Sequence, residues 1–136
     1  MRKIITLLLA CLAAICIALP VEAKVERRFA STPVTSEGET FHVDSIDFRA
    51  DLTRVYGKLM GTPHTSGKID VVELETGGKK MVADDIDGID FGRYYQYEDE
   101  GVIELEVDFP AMKSFQGAVI IFSSPRTQQK TRITRR

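Results

Sequence analysis

Val102-Ile103-Glu104-Leu105-Glu106-Val107-Asp108-Phe109 is the stretch on which the fold turns. Ile103, Leu105, Val107 and Phe109 alternate with Glu104, Glu106 and Asp108. Successive side chains of a strand point to opposite faces, so this pattern predicts a strand with one face in a core and the other in water. Pro110 stops it. Further on, Gly117 opens the run Ala118-Val119-Ile120-Ile121-Phe122, which Ser123-Ser124-Pro125 closes. An apolar run of that length between turn residues predicts a strand buried on both faces. The two strands are expected to form an antiparallel hairpin across a loop of about seven residues.

Upstream, Phe41 to Phe48 and Thr53 to Leu59 are rich in β-branched and aromatic residues and hold no helical spacing. Gly61-Thr62-Pro63-His64-Thr65-Ser66-Gly67 reads as a loop, and Lys68 to Leu74 as a strand. Gly77-Gly78 predicts a hairpin turn into Lys79 to Ala83. Asp90 to Tyr97 has room for a helical turn or two, and no ten-residue stretch is a convincing amphipathic helix. Residues 24–40 read as a polar lead-in with one short edge strand, and residues 126–136 as a basic, solvated C-terminal tail. Short strands punctuated by Gly and Pro predict an all-β chain, a single Ig-like antiparallel β-sandwich over residues 41–125.

The first 23 residues have the three-part pattern of a secretory signal peptide. Arg2 and Lys3 supply the positive start, Ile4 to Val21 run without a charge, and Val21-Glu22-Ala23 offers small residues at a cleavage site. An uncleaved anchor helix is the first alternative, since the apolar run is close to the length that spans a bilayer. Pro20 and the short polar exit argue for cleavage. A lipoprotein box at Leu8-Leu9-Ala10-Cys11 is the second, but cutting there would expose the apolar segment Leu12 to Val21. The protein is therefore expected in the periplasm or secreted, starting at Lys24, with no membrane span after cleavage.

The remaining 113 residues suit one domain with a core of its own. Both cysteines, Cys11 and Cys16, fall inside the leader, which excludes a disulfide, thiol catalysis and a thiolate metal site from the mature chain. Removing Arg2, Lys3 and Glu22 from eighteen basic and twenty acidic residues leaves a net charge of −3. Arg126, Lys130, Arg132, Arg135 and Arg136 stand together at the end, so residues 24–125 alone carry −8. An acidic body disfavours nucleic acid, whose phosphates reward clustered Lys and Arg.

Asp84-Asp85-Ile86-Asp87-Gly88-Ile89-Asp90 gathers carboxylates about a glycine, as calcium loops do. Placing Gly88 at the sixth position of an EF-hand loop leaves Ala83 at the first and Tyr94 at the twelfth, so the closing acid is missing. An acidic turn with local Asp–backbone bonds accounts for the segment. Tyr94, Tyr95 and Tyr97, beside Arg93 and Gln96, have the chemistry to stack on sugar rings, or else to cover one end of the domain. His42 and His64 lack a nucleophile motif and make a weak metal pair. Glu104, Glu106 and Asp108 form a charged strand face, and paired carboxylates are the minimum for a small hydrolase. No catalytic, cofactor-binding or metal-ligating residue is assigned, and no cofactor is expected.

Ala83, Asp87-Gly88-Ile89, Tyr94-Tyr95, Glu100-Gly101, Phe109-Pro110 and Lys113-Ser114-Phe115 occur in that order before a hydrophobic strand. This resembles an uncharacterised β-sandwich module of Gram-negative envelope proteins, often found N-terminal to a thioredoxin-like domain. The likeness covers about residues 41–125. It implies the fold and the compartment; with no cysteine after the leader, redox activity does not carry over. The expected function is that of a non-enzymatic binding or accessory module acting on an envelope protein or surface polymer. Carbohydrate binding through Tyr94, Tyr95 and Tyr97 is the alternative, and a small hydrolase using acidic residues the outside one.

Overall fold

A computed structural model describes residues 24–26, 29–35 and 38–136. The expected leader, residues 1–23, lies outside them. The described chain is all-β, with antiparallel sheets and no helix. The first sheet contains β1 (Lys24–Glu26), β3 (Thr40–Phe48), β4 (Leu52–Met60), β10 (Val102–Pro110) and β8 (Asp85–Asp87), in that spatial order. The second runs β2 (Phe29–Thr35), β12 (Gln128–Arg135), β11 (Gly117–Ser123), β6 (Val71–Thr76) and β7 (Lys79–Val82). A two-stranded ribbon pairs β5 (Ser66–Lys68) with β9 (Tyr94–Gln96).

Alternation along each strand sends one set of side chains into a single shared core. From the first sheet come Phe41, Ile46, Val55, Leu59, Leu105, Val107 and Phe109. Val72, Leu74, Ala118, Ile120, Phe122 and Ile133 come from the second. Phe41 meets Phe122 across the two sheets with ring centroids 4.8 Å apart. Phe115 closes one end of the core, edge-on to Phe29 at 5.7 Å and to Phe48 at 5.3 Å. Gly77 and Gly78, both at positive φ (58° and 76°), make the two-residue turn between β6 and β7 that their identity predicts.

The opening strand behaves as its pattern requires: Leu105, Val107 and Phe109 are buried and Glu104 is exposed. Its pairing does not. β10 bonds to β4 and β8, whereas β11 bonds to β12 and β6, so residues 111–116 cross from one sheet to the other and form no hairpin. Alternation reports which face of a strand is buried and is silent about its neighbours.

The basic C-terminus is corrected too. Gln128–Arg135 is a strand inside the second sheet, paired with β11 on one side and β2 on the other. Thr131 and Ile133 are fully buried, and Lys130 and Arg132 alternate with them on the outer face. Long basic side chains cover a sheet with their stems while their charges stay in water, which hides the strand pattern in a charge run. The lead-in likewise supplies β1 and β2, each at a sheet edge, with Pro33 in β2 where an edge tolerates a missing donor. Asp90 to Tyr97 has no helical turn and ends in β9.

Candidate functional site

The outer face of the first sheet holds a groove of about 370 Å³, floored by Tyr56 and Gly57 and walled by Asp44, Asp87, Glu104 and Glu106. Each side chain is placed by strand register. On β10, Glu104 and Glu106 point away from the core because Leu105 and Val107 point into it. Glu104 stands opposite Lys58 of β4, and Glu106 opposite Tyr56. On the far side of β10, Glu106 directly opposes Asp87 of β8. Asp44 is the extra residue at an irregularity in β3, where Val43 pairs with Gly57 and Ser45 with Tyr56. A β-bulge of this kind re-aims one side chain.

Two glycines let the strands close around the groove. Gly88 has φ 105°, and a Cβ there would fall on the carbonyl of Glu104. The chain can therefore turn tightly beside β10 after Asp87 only with glycine at that place. Gly57 leaves room on the inner side for the ring of Phe41.

The electrostatics of the face are uneven. At its lower border Arg54 clamps Asp108 through two bonds, Nε–Oδ1 at 2.7 Å and Nη2–Oδ2 at 3.0 Å. These bonds, with a lesser contribution from Tyr56, hold the guanidinium above its ordinary pKa. The clamp offsets the second acidic pair of the β8–β10 ladder, Asp85 opposite Asp108. Tyr56 donates its hydroxyl to the buried Asp47 at 3.3 Å, and Arg49 pairs with the same oxygen at 3.2 Å. Toward the middle of the groove Lys58 stands opposite Glu104, and Glu106 faces Asp87 with no cation opposite either in the register. Among the described residues, Asp44, Asp87, Glu104 and Glu106 take part in none of the ion pairs. Like charges directly opposite on neighbouring strands are destabilising, and Glu106 and Asp87 occupy such opposed positions in the ladder.

The other sequence candidates fall elsewhere. Tyr97 is fully buried and Tyr95 half-buried, their rings edge-on at 5.7 Å, so neither belongs to an open sugar-stacking platform. Both hydroxyls donate to the same Glu39 oxygen, at 2.5 Å from Tyr97 and 2.6 Å from Tyr95. Burial first, and the Glu39 bond second, push both phenols above their usual pKa. Tyr94 alone is open, at 78 % exposure, with the Lys68 ammonium 5.6 Å from its ring centre. His42 lies exposed on β3, while His64 (φ 66°) sits in the loop after β4, 2.9 Å from Asp99. Asp84, Asp85, Asp87 and Asp90 spread along β8 and its flanks; among the described residues no group of three or more His, Cys, Asp or Glu side chains is placed to hold a metal.

Sequence reasoning found Glu104, Glu106 and Asp87 separately but not their meeting, which depends on the β10–β8 pairing. The bulge at Asp44 had a signal: Phe41 and Val43 are in phase with each other, but Ile46 falls one residue late. Glu39, which accepts from two tyrosines 56 and 58 residues further along the chain, had none.

The architecture defines a two-sheet antiparallel domain with a charged outer groove, and nothing in that class fixes an activity by itself. Compared with known proteins, the chain matches no protein-family model, no curated protein and no solved structure.

Proposed function

We propose that this protein is an exported, non-enzymatic binding module, an Ig-like sandwich in form, whose acidic groove takes a basic segment of an envelope protein. The observation that carries this reading is the direct opposition of Glu106 and Asp87. A protein keeps an unfavourable contact of this kind where function uses it, and a cation lying between the two carboxylates would reverse its sign. Asp44 and Glu104 extend the acidic wall to either side of Tyr56, whose ring suits the aliphatic stem or charge of a Lys or Arg. Export is supported by the leader pattern and by the resemblance over residues 41–125. A non-enzymatic role is supported by the groove's openness to water, which denies a general acid or base the dry surroundings that tune it.

Titration calorimetry with a lysine-rich peptide at low ionic strength tests the reading. Binding that weakens with salt and is lost in Asp87→Asn/Glu106→Gln supports it. Equal binding by parent and variant, or none by the parent, overturns it. Carbohydrate binding retains one supporting observation, the open ring of Tyr94. A single ring with one lysine is a smaller platform than the three tyrosines of the sequence reading.

A further inference from the structure

We propose that the outer face of the second sheet is a self-association surface, and that its occupant is a second copy of this chain. Strand register lays the side chains of this face in rows. In one row Arg132 of β12 and Glu75 of β6 flank Val119 of β11. In the next, Lys130 and Glu73 flank Ile121 in the same order. β7 extends that second row with Val82, opposite Glu73, and β2 brings Val34 beside Lys130 at the other end. Val34 and Val82 are 47 % and 53 % exposed, large values for apolar side chains at opposite edges of one sheet.

From β2 to β7 the first row runs Thr32, Arg132, Val119, Glu75, Lys80, and the second runs apolar, basic, apolar, acidic, apolar. Read backwards, the second is the same row with the charges exchanged. A twofold axis parallel to β11, lying between two such faces, performs that reversal. It sets the basic lane of each copy over the acidic lane of the other, Val119 over Val119, and Val34 over Val82. A twofold axis across the strands would set arginine over arginine instead. Self-complementarity under one symmetry operation is the requirement for a closed, isologous dimer. The geometry of aligned sheet stacking suits it, and a groove of about 500 Å³ over Val119 and Ile121 has room for the partner's side chains. Arg132 and Glu75 take no part in the ion pairs among the described residues, although Lys80 stands opposite Glu75 in the β6–β7 ladder.

Five strands about 4.8 Å apart give a face roughly 24 Å wide. Two such faces bury on the order of 1,000 Å², the small end of specific interfaces, so the dimer is weak and reversible.

Sedimentation velocity over a concentration series, on the protein as the producing cell processes it, tests this. The parent should pass from monomer to dimer as concentration rises. Arg132→Glu and Glu75→Arg should each weaken the dimer about tenfold or more, by setting like charges opposite. The double variant, which exchanges the two lanes, should return to within a few-fold of the parent. Both substitutions are at exposed positions, and unchanged melting temperatures verify that each of the three variants is folded. A parent that stays monomeric throughout overturns the proposal and leaves the face to a peptide or polymer ligand. A dimer indifferent to Arg132→Glu, or a double variant no better than the singles, overturns it as well.

Discussion

Tyr97 donates its hydroxyl to Glu39, 58 residues earlier in the chain, at 2.5 Å, and Tyr95 donates to the same carboxylate oxygen. Gln129 from β12 donates to the Glu39 backbone carbonyl. One residue just before β3 thus ties the β5–β9 ribbon and the C-terminal strand to the first sheet. Removing the Tyr97 hydroxyl with Phe should cost about 1.5–3 kcal/mol, the range of a hydrogen bond to a charged group after solvent competition.

The same latch gives an alkaline limit. Both phenols have folded-state pKa values above the unfolded value of about 10. Their contribution to stability is therefore complete below pH about 10 and is lost as pH rises from there through the folded-state values. Tyrosinate absorbance followed with circular dichroism should show a late component that appears together with unfolding. Tyr95→Phe/Tyr97→Phe should remove that component; an unchanged alkaline limb would contradict the latch.

Leu105 and Glu104 are adjacent and should behave oppositely. Leu105 is 2 % exposed among core residues of both sheets, whereas Glu104 is at the surface. Leu105→Ala should cost about 2–5 kcal/mol through lost burial and the cavity left behind. Glu104→Ala should change stability by less than about 0.5 kcal/mol. Urea denaturation of the two variants makes the comparison, and equal costs would mean that the inner face is misassigned.

The C-terminal strand carries its own prediction. Thr131 is fully buried, and its hydroxyl has no hydrogen-bond partner among the described residues. Thr131→Val keeps the shape, removes an unsatisfied polar atom, and should stabilise the protein by about 1 kcal/mol. Ile133→Ala should instead cost about 2–5 kcal/mol. Denaturation midpoints decide both, and an Ile133→Ala variant as stable as the parent would return residues 126–136 to the status of a tail.

What the sequence disclosed follows the range of the physics involved. The alternation in Val102–Phe109 and the Gly77-Gly78 turn are local, and both read correctly. Neighbour relations are not local: β10 joins β4 across more than 40 residues, and no feature of residues 110–117 distinguishes a hairpin from a crossing between sheets. β12 was obscured because Thr131 and Ile133, its inward pair, stand among basic residues whose charges dominate the composition. At the groove each acid was visible, but the uncompensated pair exists only once β8 lies beside β10. Tyr94, Tyr95 and Tyr97 share a short segment and separate in space because Tyr95 and Tyr97 turn toward Glu39 while Tyr94 faces out.

The most direct test of the binding account is the stability of Glu106→Gln measured by urea denaturation with and without a lysine-rich peptide. Neutralising one member of the Glu106–Asp87 pair should stabilise the free protein by about 0.2–1 kcal/mol, because a repulsive cross-strand contact is relieved. The peptide should raise the stability of the parent and leave the variant nearly unchanged, since only ligands that bind the folded state shift the transition. A variant less stable than the parent, or one that gains as much from the peptide, would contradict the account.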